Sequence, residues 1–183
     1  MKLCPYCEST LETPLVCVNC ESLLPVEGQP DPFEVFGSTP TWGVSSKDLK
    51  LRFLRFSRFL HPDFFATAGE SEQELAESAS AALNSAYEIL NDPVRRADWL
   101  VDNLGGPSDS EERQMPQEFL IEVLEWNETL EEAKASAPGS PQREALTGLA
   151  SALRAERNQR TAEIGHLLQG VPDVDRGALE QTR

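Results

Sequence analysis

Arg55-Phe56-Ser57-Arg58-Phe59-Leu60-His61-Pro62-Asp63-Phe64-Phe65 is the stretch on which the reading of this chain turns. Pro62 fixes its own φ and pushes the residue before it out of the helical region, so a helix running up to Leu60 must stop at His61. The turn then projects His61, Pro62 and Asp63 from the end of that helix. Upstream, Ser45-x-x-Asp48 has the form of a capping box. Leu49, Phe53, Phe56 and Leu60 follow at offsets of four, three and four, the spacing of one core-facing helical stripe. Arg52, Arg55 and Arg58 recur every three residues on another face. From Lys47 to Leu60 five basic residues stand against one acidic, a local balance of +4 in a chain whose formal net charge is -15.

Working outward, Asp31-Pro32-Phe33-Glu34-Val35-Phe36-Gly37 reads as a short helix with Asp at its cap, Pro at its first position and Gly at its stop. After a polar loop from Thr67 to Ser71, a third helix is expected from about Glu72 to Leu90, with Ala79, Leu83, Ala86 and Leu90 at core spacing. Asn91-Asp92-Pro93 ends it, and a fourth helix runs from Val94 to Leu104 and stops at Gly105-Gly106. Gly105 to Gln114 reads as an interdomain linker. Beyond it, Pro116 to Ala135 is an acidic amphipathic helix with Phe119, Leu120, Val123, Leu124 and Leu130. Ala137-Pro138-Gly139-Ser140-Pro141 breaks it before a long helix from about Gln142 to Gln169, and the two form an αα-hairpin. Gly170 to Arg183 is weakly patterned, and no internal repeat is read along the chain.

All four cysteines lie in the first twenty residues, at Cys4, Cys7, Cys17 and Cys20. Two CxxC pairs separated by nine residues are two knuckles able to close one tetrahedral thiolate site. Zinc, structural and one per chain, is the expected ion, because about twenty-five residues cannot build a core without such a staple. Two alternatives stay open: iron in the same four sulfurs, and redox chemistry. Cys4-Pro5-Tyr6-Cys7 is also a glutaredoxin-type string, although the strand such a fold needs before the motif has no room here.

At His61-Pro62-Asp63 the chain resembles a J-domain, the co-chaperone module that stimulates ATP hydrolysis by seventy-kilodalton heat-shock chaperones. The likeness covers Asp31 to Gly105, including Asn84-Ser85-Ala86-Tyr87-Glu88-Ile89-Leu90 and Asp92-Pro93-x-x-Arg96. It is nearer to the HscB-type iron-sulfur co-chaperones, through Asp31 to Gly37, the run His61 to Phe65, and Phe119-Leu120-Ile121-Glu122. Phe64 departs from many J-domains, which carry Lys there, and Phe65 is expected in the core. The resemblance implies a mainly α protein in three parts: a zinc-ribbon-like tetracysteine module (1–25), a helical J-domain (31–105) and a C-terminal helical hairpin or bundle (115–183). A third bundle helix is only starting at Ala178-Leu179-Glu180. It further implies that His61, Pro62, Asp63, Arg52, Arg55 and Arg58 meet a DnaK/HscA-type chaperone ATPase. Leu120, Ile121 and Leu124, with Glu125 and Glu128 beside them, would meet an IscU-like iron-sulfur cluster scaffold protein, and core packing is the competing reading of Leu120 and Leu124. A tetracysteine module like that of the mitochondrial relatives also favours zinc.

The bulk numbers exclude other classes. A charge of -15 argues against nucleic acid as a partner. With 39% hydrophobic residues, disorder throughout is not expected. No run of eighteen apolar residues exists, and the cysteine pairs stand where a signal or transit peptide would be, so a cytoplasmic address without membrane partners is expected. No P-loop, GxSxG elbow or HExxH motif is present, His166 stands alone on a late helix, and a non-enzyme is expected. A general protein-folding J-protein and a zinc-ribbon interaction module remain as alternatives, and self-association through the N-terminal module stays open.

Overall fold

The computed structural model describes residues 2–107 and 115–182. Of the expected linker, residues 108–114 lie outside that range, as does Arg183. The protein is mainly helical: α1 (Pro32–Val35), α2 (Ser46–Leu60), α3 (Glu70–Asn91), α4 (Pro93–Asn103), α5 (Gln117–Ala135), α6 (Pro141–Leu167) and α7 (Arg176–Thr182), with one 3-10 turn, Pro62–Phe65. Among the described residues there is no extended strand. The tetracysteine module has only single-residue pairings, Leu3 with Thr10 and Val16 with Leu23.

The capping chemistry places the helix starts. The Asp31 carboxylate accepts from Phe33 N–H at 2.7 Å, Ser45 Oγ from Asp48 N–H at 3.3 Å, and Asp92 from Val94 N–H at 2.8 Å. Helix α3 begins two residues earlier than expected, at Glu70, because Gly69 takes an extended conformation at the cap and leaves Glu70 and Glu72 in the first turn. Acidic side chains there suit the helix dipole.

The helical unit packs α2 against α3 and α3 against α4. Leu49, Phe56 and Leu60 of α2 are buried against a stripe of Ala76, Ala79, Leu83, Ala86 and Leu90 from α3, and Leu100 and Val101 of α4 close the side. Phe53 is only partly buried: its ring lies 4.4 Å from that of Tyr87 at the edge of the core. The segment Asn84 to Leu90 is thus used for packing, with Ala86 and Leu90 inward and Tyr87 on the rim.

Two further parts of the chain enter this core. Leu15, Val16 and Leu23 of the tetracysteine module belong to the same buried cluster as Phe33, Val35 and Phe36 of α1. From the other end, Leu168 and Leu179 join it, with α7 packed on α4 and α6. The weakly patterned tail therefore holds a helix whose one leucine is a core residue. Trp42 seals the end of α6: a Cβ added to Gly165 would sit 2.5 Å from its indole nitrogen, and the Arg96 guanidinium stacks 4.7 Å over its ring. Arg96 also donates to the Leu90 carbonyl, which accounts for the Asp92-Pro93-x-x-Arg96 pattern as a cap followed by a buried brace.

The hairpin of α5 and α6 is different. Ala133 is the single buried residue of α5, and Gly165, at the far end, that of α6. Val123, Trp126 and Leu130 face Leu146, Leu149 and Leu153 across a half-open apolar groove of about 420 Å³. Among the described residues, the main packing partner of α5 is α6.

Candidate functional site

Helix α2 ends as the proline requires. His61 has φ -67° and ψ 123°, off the helical region, and Pro62–Phe65 forms the turn that follows. The His61 ring points back over the turn, where its Nδ1 accepts from the Asp63 backbone N–H at 3.3 Å. The Asp63 carboxylate approaches the same Nδ1 at 3.7 Å. His61, Pro62 and Asp63 are all exposed, and the Asp63 side chain keeps 89% of its surface open. Phe64, 71% exposed, sets its ring edge-on to His61 at 6.1 Å. Phe65 turns inward against the core. The geometry is that of a tip offering a carboxylate and an imidazole outward.

The three arginines are in three states. Arg52 donates to the Phe36 carbonyl at 2.5 Å and braces α1 to α2. Arg55 makes a two-toothed pair with Glu12 of the tetracysteine module, at 2.6 and 2.9 Å. Arg58, three residues before His61, is exposed with no ion-pair partner among the described residues. Leu51 and Leu54 lie exposed on the same helix. Glu12 was not legible as a partner of this face, since its loop carries no periodic signal.

The module itself is built twice. Leu3-Cys4-Pro5-Tyr6-Cys7-Glu8-Ser9 and Val16-Cys17-Val18-Asn19-Cys20-Glu21-Ser22 are offset by 13 residues and repeat one set of bonds: Cys4 N–H to the Ser9 carbonyl and Glu8 N–H to the Cys4 carbonyl, then Cys17 N–H to Ser22 and Glu21 N–H to Cys17. Glu8 and Glu21 both take positive φ, 59° and 60°. A short internal repeat does exist, contrary to the sequence reading. The shared string Cys-x-x-Cys-Glu-Ser was the signal for it.

The four sulfurs lie within 4.8 Å of one another, and the pairs Cys4 with Cys20 and Cys7 with Cys17 are 3.7 Å apart. A tetrahedral ion with bonds of about 2.3 Å needs its sulfurs about 3.8 Å apart, so the four residues could hold one metal ion. The surrounding hydroxyls favour thiolate. Ser9 Oγ stands 3.0 Å from Cys7 Sγ and 3.2 Å from Cys17 Sγ, lowering the Cys7 thiol to about 6 and drawing Cys17 down as well. Burial pushes the Cys4 thiol up to about 11 in the absence of a cation.

On α5, Leu120, Ile121 and Leu124 are exposed, Leu124 by 64%, and Glu125 and Glu128 are exposed beside them. At 100° per residue this stripe lies across the helix from Val123, Trp126 and Leu130, which face α6. His166 is exposed on α6. No helix of the described residues is long and apolar enough to cross a membrane.

Residues 115–183 match the family model described as the HSCB C-terminal oligomerisation domain. The chain is 32% identical over 152 residues to a co-chaperone protein HscB homolog of Burkholderia mallei, covering 82% of this chain and 83% of that protein. To the homolog of Cupriavidus taiwanensis it is 33% identical over 153 residues, 82% and 85% of the two chains. Among solved structures it is similar to chaperone HscB from Vibrio cholerae, with a TM-score of 0.63, 29% identity and coverage of 76% and 80%. The crystal structure of human co-chaperone protein HscB gives a TM-score of 0.65 at 25% identity, covering 90% of this chain and 83% of that one. Carried across more than four-fifths of both sequences, identity at this level shows that the chain belongs to the HscB co-chaperone family.

Proposed function

We propose that this protein is a non-catalytic co-chaperone that triggers ATP hydrolysis in a DnaK/HscA-type chaperone and delivers to it the scaffold on which iron-sulfur clusters are assembled. The observation that carries the reading is the exposed His61-Pro62-Asp63 tip at the end of a basic helix in an acidic protein. Asp63 is the group that would engage a cationic residue of the ATPase, with Pro62 fixing the turn and His61 holding the Asp63 backbone. Arg58, and the Arg55 and Arg52 positions behind it, would steer the helix onto an acidic groove, an attraction that fades beyond about 8 Å at physiological salt.

The parts divide as residues 1–25, 31–105 and 115–183. In the first, Cys4, Cys7, Cys17 and Cys20 would hold one zinc ion. Four thiolates suit that borderline-soft ion, and bound there it supplies structural cross-linking with no open coordination position. In the third, Leu120, Ile121 and Leu124 would seat the scaffold, with Glu125 and Glu128 setting orientation. Their exposure and their place opposite the α6-facing side support a partner surface over a core role. The cytoplasm is the compartment in which these partners would be met.

The test is a steady-state ATPase assay with purified DnaK-type and HscA-type chaperones, with and without an IscU-type scaffold. Stimulation should be strongest with chaperone and scaffold together, and His61→Gln should abolish it while leaving thermal stability unchanged. Full stimulation by that variant would sink the assignment, and stimulation indifferent to the scaffold would favour a general protein-folding role.

A further inference from the structure

The pair between Glu12 and Arg55 joins the tetracysteine module to the helix that carries the tip. Its geometry is the fork-to-fork form that arginine uses for carboxylates of a binding partner: Nη1 to Oε2 at 2.6 Å and Nη2 to Oε1 at 2.9 Å. Glu12 is held there by its backbone. The Glu12 carbonyl rests against Gly37, where an added Cβ would stand 2.5 Å away, and Gly37 has φ +62°. The next residues, Thr13, Leu15 and Val16, are buried. The loop between the two knuckles is therefore fixed on the helical unit, and the carboxylate is presented to Arg55 by a rigid frame.

We propose that Glu12 is an internal competitor for Arg55: it occupies in cis the guanidinium face that an acidic group of the chaperone would take, and so sets how tightly the basic helix docks. This rests on the ATPase-docking role proposed above. Arg52 is committed to the Phe36 carbonyl and Arg58 is open, which leaves Arg55 as the cation whose availability the module controls. The competition is graded, because both partners of the pair keep about half their side-chain surface in solvent and such pairs are weak. Docking must exchange one carboxylate for another at Arg55, and the module's carboxylate is always at hand.

The experiment is the ATPase titration with the full chain. Glu12→Gln should lower the co-chaperone concentration giving half-maximal stimulation about two- to four-fold at low salt, a gain that shrinks as added salt screens the exposed charges. Glu21→Gln, the same charge change elsewhere in the module, should leave that concentration unmoved. Combining Glu12→Gln with Arg55→Gln should give no gain over Arg55→Gln alone, the signature of a coupled pair. A Glu12→Gln protein that matches the wild type, or a gain that survives the loss of Arg55, would overturn the inference while the co-chaperone role stands. Absence of stimulation by the wild-type chain would overturn both, and so is told apart from the first failure. Glu12→Ala, read beside Glu12→Gln with circular dichroism on each, keeps a folding defect from passing as a docking effect.

Discussion

The tetracysteine module and the α5–α6 hairpin are both appended to the helical unit, and they solve the problem of burial in opposite ways. The module is short, yet Leu15, Val16, Leu23 and Leu24 are all buried and three of these belong to the common core. The hairpin contains 19 and 27 residues in its two helices, and one residue of each is buried. A small element is stable here because it borrows a core. The long one tolerates exposure because helices satisfy their own backbone bonds and lose little by standing in water. The difference teaches where to look for partners: α5 leaves Phe119, Leu120, Ile121 and Leu124 in solvent, a row of apolar side chains that the fold does not use.

The comparison breaks first at the proposed metal site. Stripping the full chain with a chelator should release about one equivalent of zinc and pull Leu15, Val16 and Leu23 out of the shared core. At about 1.5 to 3 kcal/mol for each side chain, this should lower the melting temperature of the helical signal by roughly 10 °C or more. Unchanged melting of the helices would show that the module is merely attached. Leu15→Ala is the next largest effect, with a loss of about 2 to 5 kcal/mol in denaturant unfolding, as for a fully buried leucine. Gly165→Ala drives a methyl into Trp42 and should cost about 1 to 3 kcal/mol, with a change in tryptophan fluorescence as the end of α6 shifts. The smallest effect on folding belongs to the other region. Leu120→Ala with Leu124→Ala should each change stability by no more than about 0.5 kcal/mol, while scaffold capture falls roughly ten-fold or more by titration calorimetry. Loss of helicity in that double variant would return these residues to the core.

The readable parts of the molecule were those where local rules and the fold agree. Asp31 and Ser45 cap the helices their positions promised, and Leu49, Phe56 and Leu60 lie on the stripe their spacing drew. The cysteine spacing gave the cluster. What escaped depends on contacts between distant segments. Leu179 sits in a weakly patterned tail, and only the return of that tail to α4 makes it a core residue. Gly165 is an unremarked helix glycine until Trp42 is laid across it. The arginine face looked uniform because periodicity reports a direction around the helix and says nothing of what stands opposite. Phe53 shows the same limit from inside: a core-spaced aromatic within the stripe reaches only the rim, against Tyr87.

Leu168 and Leu179 have a practical consequence for anyone who wants the HPD-bearing unit alone. A fragment cut at Gly105 leaves α4 without the tail that packs on it, and one started at Asp31 removes Leu15 and Val16 from the core cluster that holds Phe33. Such a fragment is a folding unit with two of its walls missing, and the sequence boundaries of the motif are not the boundaries at which the protein can be divided.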